Sequence, residues 1–497
     1  MGVIQRQSIK HSIVSVIGIA IGALSILFVY HKDRELYGIL SFITSTSSLL
    51  LPFLSLGITT LTIKYFPLFK SKSQKHQGYL GILFSFTVIG IFCSTFLLFL
   101  SKDILYDFLA LLKFKVEDVG AYKLPIYGVT ISLIFSRILT SYISNFGRVA
   151  IPNALNNLLL KVALPIIVLL HISSYISLSQ AINLYMLTYV LILTSLIFYT
   201  IHLKEWHIQP KFGTISKPLA RDMFSFAFFN ILSSTGSIIA NQIDGIMIST
   251  LIDFENNGDY NIFLFMANTV SIAYLALVAI ANPIVSEKIK SNELEAVDEI
   301  YKKTSLHALL VGMLILIGLW CNMNDILRLM GKFELYQPIA VTFLFLAGAK
   351  LFDAATSVNT QIIAYSKYYR FNLVMVLILA TLTIITNYVF LAILNLGIIG
   401  AAMATCLSVL LYNLVKMIFI WAKYRMLPFS KATLVVLAVS GVLLALGLLL
   451  SFPFSPIVNI VLRSALIAGI FVFAIYQFRV SEEVNALILK YWKMVFG

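Results

Sequence analysis

Fourteen apolar stretches of 20 residues or more, joined by short polar links, constrain this chain more than anything else in it. They cover residues 11–30, 37–63, 79–100, 124–146, 152–172, 179–203, 222–251, 259–285, 304–323, 337–364, 370–394, 397–421, 432–451 and 457–477. A helix of about 20 apolar residues spans the hydrocarbon core of a bilayer. The expected fold class is therefore an all-α polytopic membrane protein of about 14 transmembrane helices. Composition agrees. The 497 residues are 60% hydrophobic and 12% charged, whereas a soluble domain is about 25% charged. The first run begins near His11 without a small-residue cleavage site and reads as a spanning helix rather than a signal peptide.

The net charge of +14 would suggest nucleic acid as the partner of a soluble protein. Here the basic residues fall in the links, so the partner is the bilayer and nucleic acid is excluded. With the N-terminus inside, the inner links carry 23 Lys and Arg against 9 in the outer ones. That bias places both termini in the cytoplasm. Cys93, Cys321 and Cys406 lie in separate apolar runs without CxxC spacing, so they are expected to be buried packing residues. No cofactor is implied. His202, Glu205 and His207 lack the spacing and the fourth ligand of a metal site.

Three segments recur in order. Tyr37-Gly-Ile-Leu-Ser-Phe is similar to Tyr260-Asn-Ile-Phe-Leu-Phe, and Asp103-Ile-Leu to Asp325-Ile-Leu. The stretch from Pro125 to Arg137 is similar to that from Pro338 to Lys350. The offsets are 223, 222 and 213. A unit of six helices, an even number, gives parallel repeats about an axis along the membrane normal. The expected organisation is a six-helix lobe over 1–203, a cytoplasmic linker over 204–221, a second pseudo-symmetric six-helix lobe over 222–425, and two C-terminal helices with a tail over 426–497. Residues 286–303 and 103–114 read as helices lying along the inner and outer interfaces, the latter through Ile104, Leu105, Phe108, Leu111 and Leu112.

The third repeat pair carries the functional signal. Arg137, Thr140, Ser144 and Arg148 follow helical spacing along one face, and Lys350, Asp353, Ser357 and Gln361 occupy the matching places. An arginine at mid-membrane costs about 2.5–3.5 kcal/mol on insertion scales, so it is expected to face protein or a wet cavity. Lys161 shares a face with Asn153 and Asn157, and Asp244 with Asn230, Ser234, Ser237 and Asn241. Lys350 and Asp353 are spaced to form a structural pair or to serve a cavity, and Asp244 is a candidate partner for Lys161 or Arg137. Lys416 is expected to snorkel to the inner interface. Gly18 and Gly22 form a GxxxG suited to helix packing. Three cations against two anions favour an anionic ligand; the arginine fork suits phosphate, and the Ser, Thr and Asn stripes suit sugar hydroxyls.

Several segments together resemble the polysaccharide-biosynthesis or O-antigen oligosaccharide-lipid flippases, within the multidrug/oligosaccharidyl-lipid/polysaccharide (MATE-like) superfamily. They are Tyr37-Gly-Ile-Leu with Leu56-Gly57 and Lys64-Tyr65-Phe66, Asn241-Gln242-Ile243-Asp244, and Asp325-Ile-Leu-Arg-Leu-Met-Gly before Pro338. Gly245 follows Asp244, where that family often has a basic residue. The resemblance implies two six-helix lobes working by alternating access in a bacterial cytoplasmic membrane. It implies a non-enzymatic carrier that moves a polyprenyl-diphosphate-linked oligosaccharide to the outer leaflet. A proton or sodium ion is a candidate coupling partner. Glycan-assembly proteins are further candidate partners. The expected substrate-binding residues are Arg137, Lys350, Lys161, Thr140, Ser144 and Asn157, with Asp244 and Asp353 as coupling or structural groups. The alternatives are a cation-coupled multidrug antiporter, expected to rely on acidic cavity residues, and a membrane-embedded glycan polymerase or ligase. The latter would need a large outer loop, whereas loop 101–123 is short and has no nucleophile–base constellation.

Overall fold

Inside a bilayer a backbone must satisfy its own hydrogen bonds, and this chain does so with helices. A computed structural model describes residues 3–71, 75–113, 115 and 120–496; among these no strand occurs. The helices used below are α1 (Val3–Phe28), α2 (Arg34–Leu54), α3 (Ile58–Lys64), α4 (Tyr79–Leu100), α5 (Lys123–Ser144), α6 (Ala150–Ile172), α7 (Leu178–His202), α8 (Lys217–Leu251) and α9 (Phe254–Val270). They continue with α10 (Ile272–Lys290), α11 (Leu294–Cys321), α12 (Val341–Thr356), α13 (Asn359–Tyr365), α14 (Tyr369–Ile393), α15 (Gly397–Tyr424), α16 (Lys431–Leu449), α17 (Pro456–Gln477) and α18 (Glu482–Phe496). Among the described residues, 12 helices are long and apolar enough to cross a membrane, or 13 with the bent pair that ends in α12. Each of the fourteen expected spans overlaps helix, with breaks inside 37–63, 259–285 and 337–364; a shorter apolar helical stretch, Val16–Lys32, begins in α1 and runs past its end. The chain is an all-α, multi-pass membrane protein.

Two compact units form. The first holds residues up to Asn261 with 391–393, and the second holds the remainder. In the first unit an aromatic cluster gathers the ends of α3, α4 and α5. Phe66 meets Tyr142 edge-on at 5.7 Å, and Phe69 stacks on Tyr79 at 4.6 Å. All four rings are buried. Around it, segment 204–216 runs over the start of α4. A Cβ at Gly78 would lie 2.2 Å from the Gln209 carbonyl oxygen, so the contact requires glycine. Lys75, His76 and Gln77 take positive φ of 47–52°, which buries His76 where its Nε2 meets Glu205 Oε2 at 2.8 Å. Burial holds the neighbouring His207 below the ordinary histidine range. No group of three or more His, Cys, Asp and Glu side chains among the described residues is placed to hold a metal.

The starts of α2 and α9 meet in this unit. Arg34 forks onto Asp259 through bonds of 2.8 and 2.6 Å, and a Cβ at Gly38 would overlap the Phe254 carbonyl. In the second unit, α17 is fastened by Arg463. Its guanidinium donates to Asp325 Oδ2 at 2.8 Å and to the Cys321 and Leu450 carbonyls. The charge count from sequence puts Arg463 among the outer links; it lies inside α17 and is buried.

Other expectations change. Residues 286–303 form no single interfacial helix. They divide between α10 and α11 at Ser291–Glu293, where Asn292 has φ 59° and Lys288 pairs with Glu293 at 2.6 Å. In the stretch expected at the outer interface, Lys102–Leu111 is helical and Ile104 is exposed, but the side chains of Leu105 and Phe108 lie outside the described residues, as does Lys72 among the basic links. Cys321 is buried, whereas Cys93 is exposed on α4 rather than packed inside.

Candidate functional site

Both polar stripes are interrupted, within a few residues of matching repeat positions. α5 ends at Ser144 and α12 at Thr356, 213 residues after position 143. Gly147 at φ 70° and Ser357 at φ 36° turn the chain there. Arg148 therefore leaves the helix that carries Arg137, Thr140 and Ser144, and Ser357 and Gln361 leave the one that carries Lys350 and Asp353.

In the first unit, α2, α3, α5, α6 and α7 enclose a cavity of about 570 Å³. Arg137 lines it and is exposed within it. Among the described residues, it makes no hydrogen bond or ion pair. Among the described residues, no carboxylate, histidine or lysine lines the space. Thr59 and Thr60 enter from α3, Ser136 and Thr140 from α5, and Asn153 and Asn157 from α6. Asn156 fixes the α5–α6 wall by donating to Thr140 Oγ1 at 2.9 Å and to the Pro152 carbonyl at 2.8 Å. A second fixed point joins α2 to α7. Thr44 shares a 2.7 Å hydrogen bond with the Tyr185 hydroxyl, which lies 3.2 Å from that of Tyr189, a lining residue.

The other expected residues lie elsewhere. Ser144 donates to the Ser141 carbonyl and does not line the cavity. Lys161 departs from the asparagine face. α6 contains a π turn over Ala154–Leu159, and Leu160 continues the cavity wall in place of Lys161. Lys161 instead lies against α1, where a Cβ on Gly18 would stand 3.2 Å from its Nζ. Asp244 is buried and accepts a 2.5 Å hydrogen bond from Tyr260. A side chain after it would press on its neighbour, because a Cβ on Gly245 would come within 3.1 Å of Asn257 Oδ1.

In the second unit Lys350 is half-buried and, among the described residues, makes no hydrogen bond or ion pair; it does not bond Asp353. Asp353 accepts from Asn413 at 2.6 Å, and Asn413 accepts from Asn359 at 2.9 Å. Thr360 donates to Asn359 at 3.2 Å and accepts from Lys416. A hydrogen-bonded chain thus runs from a carboxylate to an ammonium across α12, α13 and α15. Lys416 does not snorkel: it is fully buried, 3.1 Å from the Tyr412 hydroxyl and facing its ring. Sequence reasoning misses Asn359, Thr360 and Asn413. The available signal is polar residues at helical spacing around Lys416.

A family model described as polysaccharide biosynthesis protein matches residues 26–289, more than half of the chain. That range contains Arg137 and its whole cavity and ends before Lys350. No curated protein matches the chain. Among solved structures, the chain is similar to the lipid II flippase MurJ in its inward closed conformation. The TM-score is 0.67 at 16% identity, over 95% of this chain and 100% of that one; this likeness carries the fold. By the family match, the chain belongs to the polysaccharide biosynthesis protein family.

Proposed function

We propose that this protein flips a polyprenyl-diphosphate-linked oligosaccharide from the cytoplasmic to the outer leaflet of the cytoplasmic membrane, for cell-surface polysaccharide assembly. One observation carries the reading: among the described residues, Arg137 stands unpaired in a cavity otherwise lined by neutral hydroxyls, amides and apolar groups. A guanidinium without a counter-ion at membrane depth calls for an anionic ligand or water. Its planar fork matches phosphate oxygens. The Thr and Asn side chains around it offer the donors and acceptors that sugar hydroxyls need. The cavity lacks the nucleophile–base pair that polymerase or ligase chemistry requires. It also lacks the acids on which a cationic-drug antiporter would rely. Family membership and the likeness to a lipid II flippase support the same reading.

In this reading Arg137 binds the diphosphate, while Thr140 and Asn157 meet the first sugar. Lys350, the counterpart of Arg137 in the repeat, is the second cation assigned to the substrate. Asp353, held by Asn413, is the first candidate for a coupling proton or cation, with Asp244 as the second. Transport proceeds by alternating access of two lobes, 1–203 and 222–425, with both termini cytoplasmic.

The test is an export assay in cells lacking their own flippase, with membrane levels of each variant matched. Removing a charged hydrogen-bond donor costs about 1.5–3 kcal/mol, so Arg137→Ala and Lys350→Ala are expected to lower export roughly tenfold or more. Arg137→Lys keeps the charge without the fork and should fall between. Full export by both alanine variants would overturn the assignment.

A further inference from the structure

A second cavity of the first unit, of about 450 Å³, lies between α3, α4 and α8. Apolar side chains wall it, among them Ile58, Leu61, Leu83, Met223 and Ala227. It is separate from the Arg137 cavity. Thr59, Thr60 and Ile63 line that space, while Ile58 and Leu61 of the same short helix line this one.

α8 carries a stripe that runs into this second cavity. Residues 217, 221, 224, 228 and 231 follow the spacing of one helix face. Phe224, Phe228 and Ile231 line the cavity. Lys217 and Arg221 stand on the same face at the helix start, both exposed. Neither makes a hydrogen bond or ion pair among the described residues. Asp222 is engaged elsewhere: Tyr65 donates to it at 2.6 Å, and Lys64 lies 4.0 Å away. The arrangement is two uncompensated cations at the head of an apolar slot.

We propose that this slot binds one anionic phospholipid of the bilayer. Lys217 and Arg221 hold its phosphate, and an acyl chain lies along Phe224, Phe228 and Ile231. Basic pockets between membrane helices recognise anionic headgroups by this charge pattern. The length argues for a leaflet lipid over a polyprenyl tail. Ten residues separate Arg221 from Ile231, about 15 Å at 1.5 Å per residue. That is half of the roughly 30 Å hydrocarbon core, the depth of one leaflet. A lipid so placed braces α3 against α8, and α3 is also a wall of the Arg137 cavity.

Native mass spectrometry of the full-length protein in mild detergent tests this, with phosphatidylglycerol or phosphatidylcholine added. The wild type is expected to retain one phosphatidylglycerol and no phosphatidylcholine. Replacing both cations, Lys217→Gln with Arg221→Gln, should lower retention roughly tenfold or more. These side chains are exposed, so an unchanged melting temperature is expected and separates lost binding from lost fold. Ala227→Trp, which fills the slot, should also release the lipid; if it does not fold, the charge variant decides. Equal phosphatidylglycerol retention by wild type and charge variant would overturn the proposal. So would equal retention of phosphatidylcholine, or mole-for-mole displacement by polyprenyl diphosphate, which would give the slot to the substrate tail.

Discussion

The chain treats its two membrane arginines in opposite ways. Arg463 is enclosed: Asp325, the Asn322 side chain and two backbone carbonyls accept its hydrogens. Arg137 is left open to a cavity. Removing one partner of a buried ion pair leaves the other charge stranded, at a cost of about 3–5 kcal/mol. Arg463→Ala is therefore expected to lower the melting temperature sharply in detergent. Arg463→Met combined with Asp325→Leu should recover most of the loss, because neither charge then remains. Equal damage from the single and double variants would show that packing, not charge, holds α17. Arg137→Ala should leave melting nearly unchanged, since no partner is stranded. In sequence Arg137 stands out as a cation within an apolar run, whereas Arg463 is counted with the outer links. Their difference depends on which helix packs opposite, and Asp325 lies 138 residues from Arg463.

Helix breaks do more here than helix lengths. The apolar run 37–63 reads as one span, yet α2 stops at Leu54 and α3 restarts at Ile58. Leu56 and Gly57 make the break at φ 47° and 67°. The restart lets α3 present Thr59 and Thr60 to one cavity and Ile58 and Leu61 to another. Gly57 is constrained twice: its φ is left-handed, and a Cβ would stand 2.7 Å from the Ala227 carbonyl. Gly57→Ala should cost about 1–2 kcal/mol from the backbone alone, with the contact adding to it. Thermal melting measures the loss, and a variant as stable as the wild type would show that the turn relaxes freely. The Leu56-Gly57 pair is visible in the sequence as a resemblance. Its role as a break is hidden there, because apolar composition continues through it. The π turn in α6 is hidden for the same reason.

The charged C-terminal helix shows how the chain ends are tied in. α18 docks on α11 through Glu483, whose carboxylate meets Lys303 at 2.8 Å and His307 at 3.4 Å. The hydrogen bond from Lys303 holds the Glu483 carboxyl below its ordinary range. A depressed folded-state pKa gives a contribution that is complete above the unfolded value, about 4.3, and is lost as pH falls through the folded one. Proteolysis near residues 478–482 is accordingly expected to accelerate between pH 5 and 3, with Glu483→Gln accelerating it already at pH 7. Unchanged cleavage across that range would detach α18 from this contact.

The apolar runs by themselves determined an all-helical membrane protein, because about 20 apolar residues without charge have no other stable place. The cost of a buried cation marked Arg137 and Lys350. Tertiary structure alone decided what each polar group meets. It buried Lys416 instead of letting it snorkel, turned Lys161 away from the asparagines, and kept Asn156 on Thr140. The physical reason is that hydropathy is a property of one helix at a time. Hydrogen bonds, ion pairs and cavities belong to pairs and triplets of helices distant in sequence, and a single turn of left-handed or π backbone resets which faces they share.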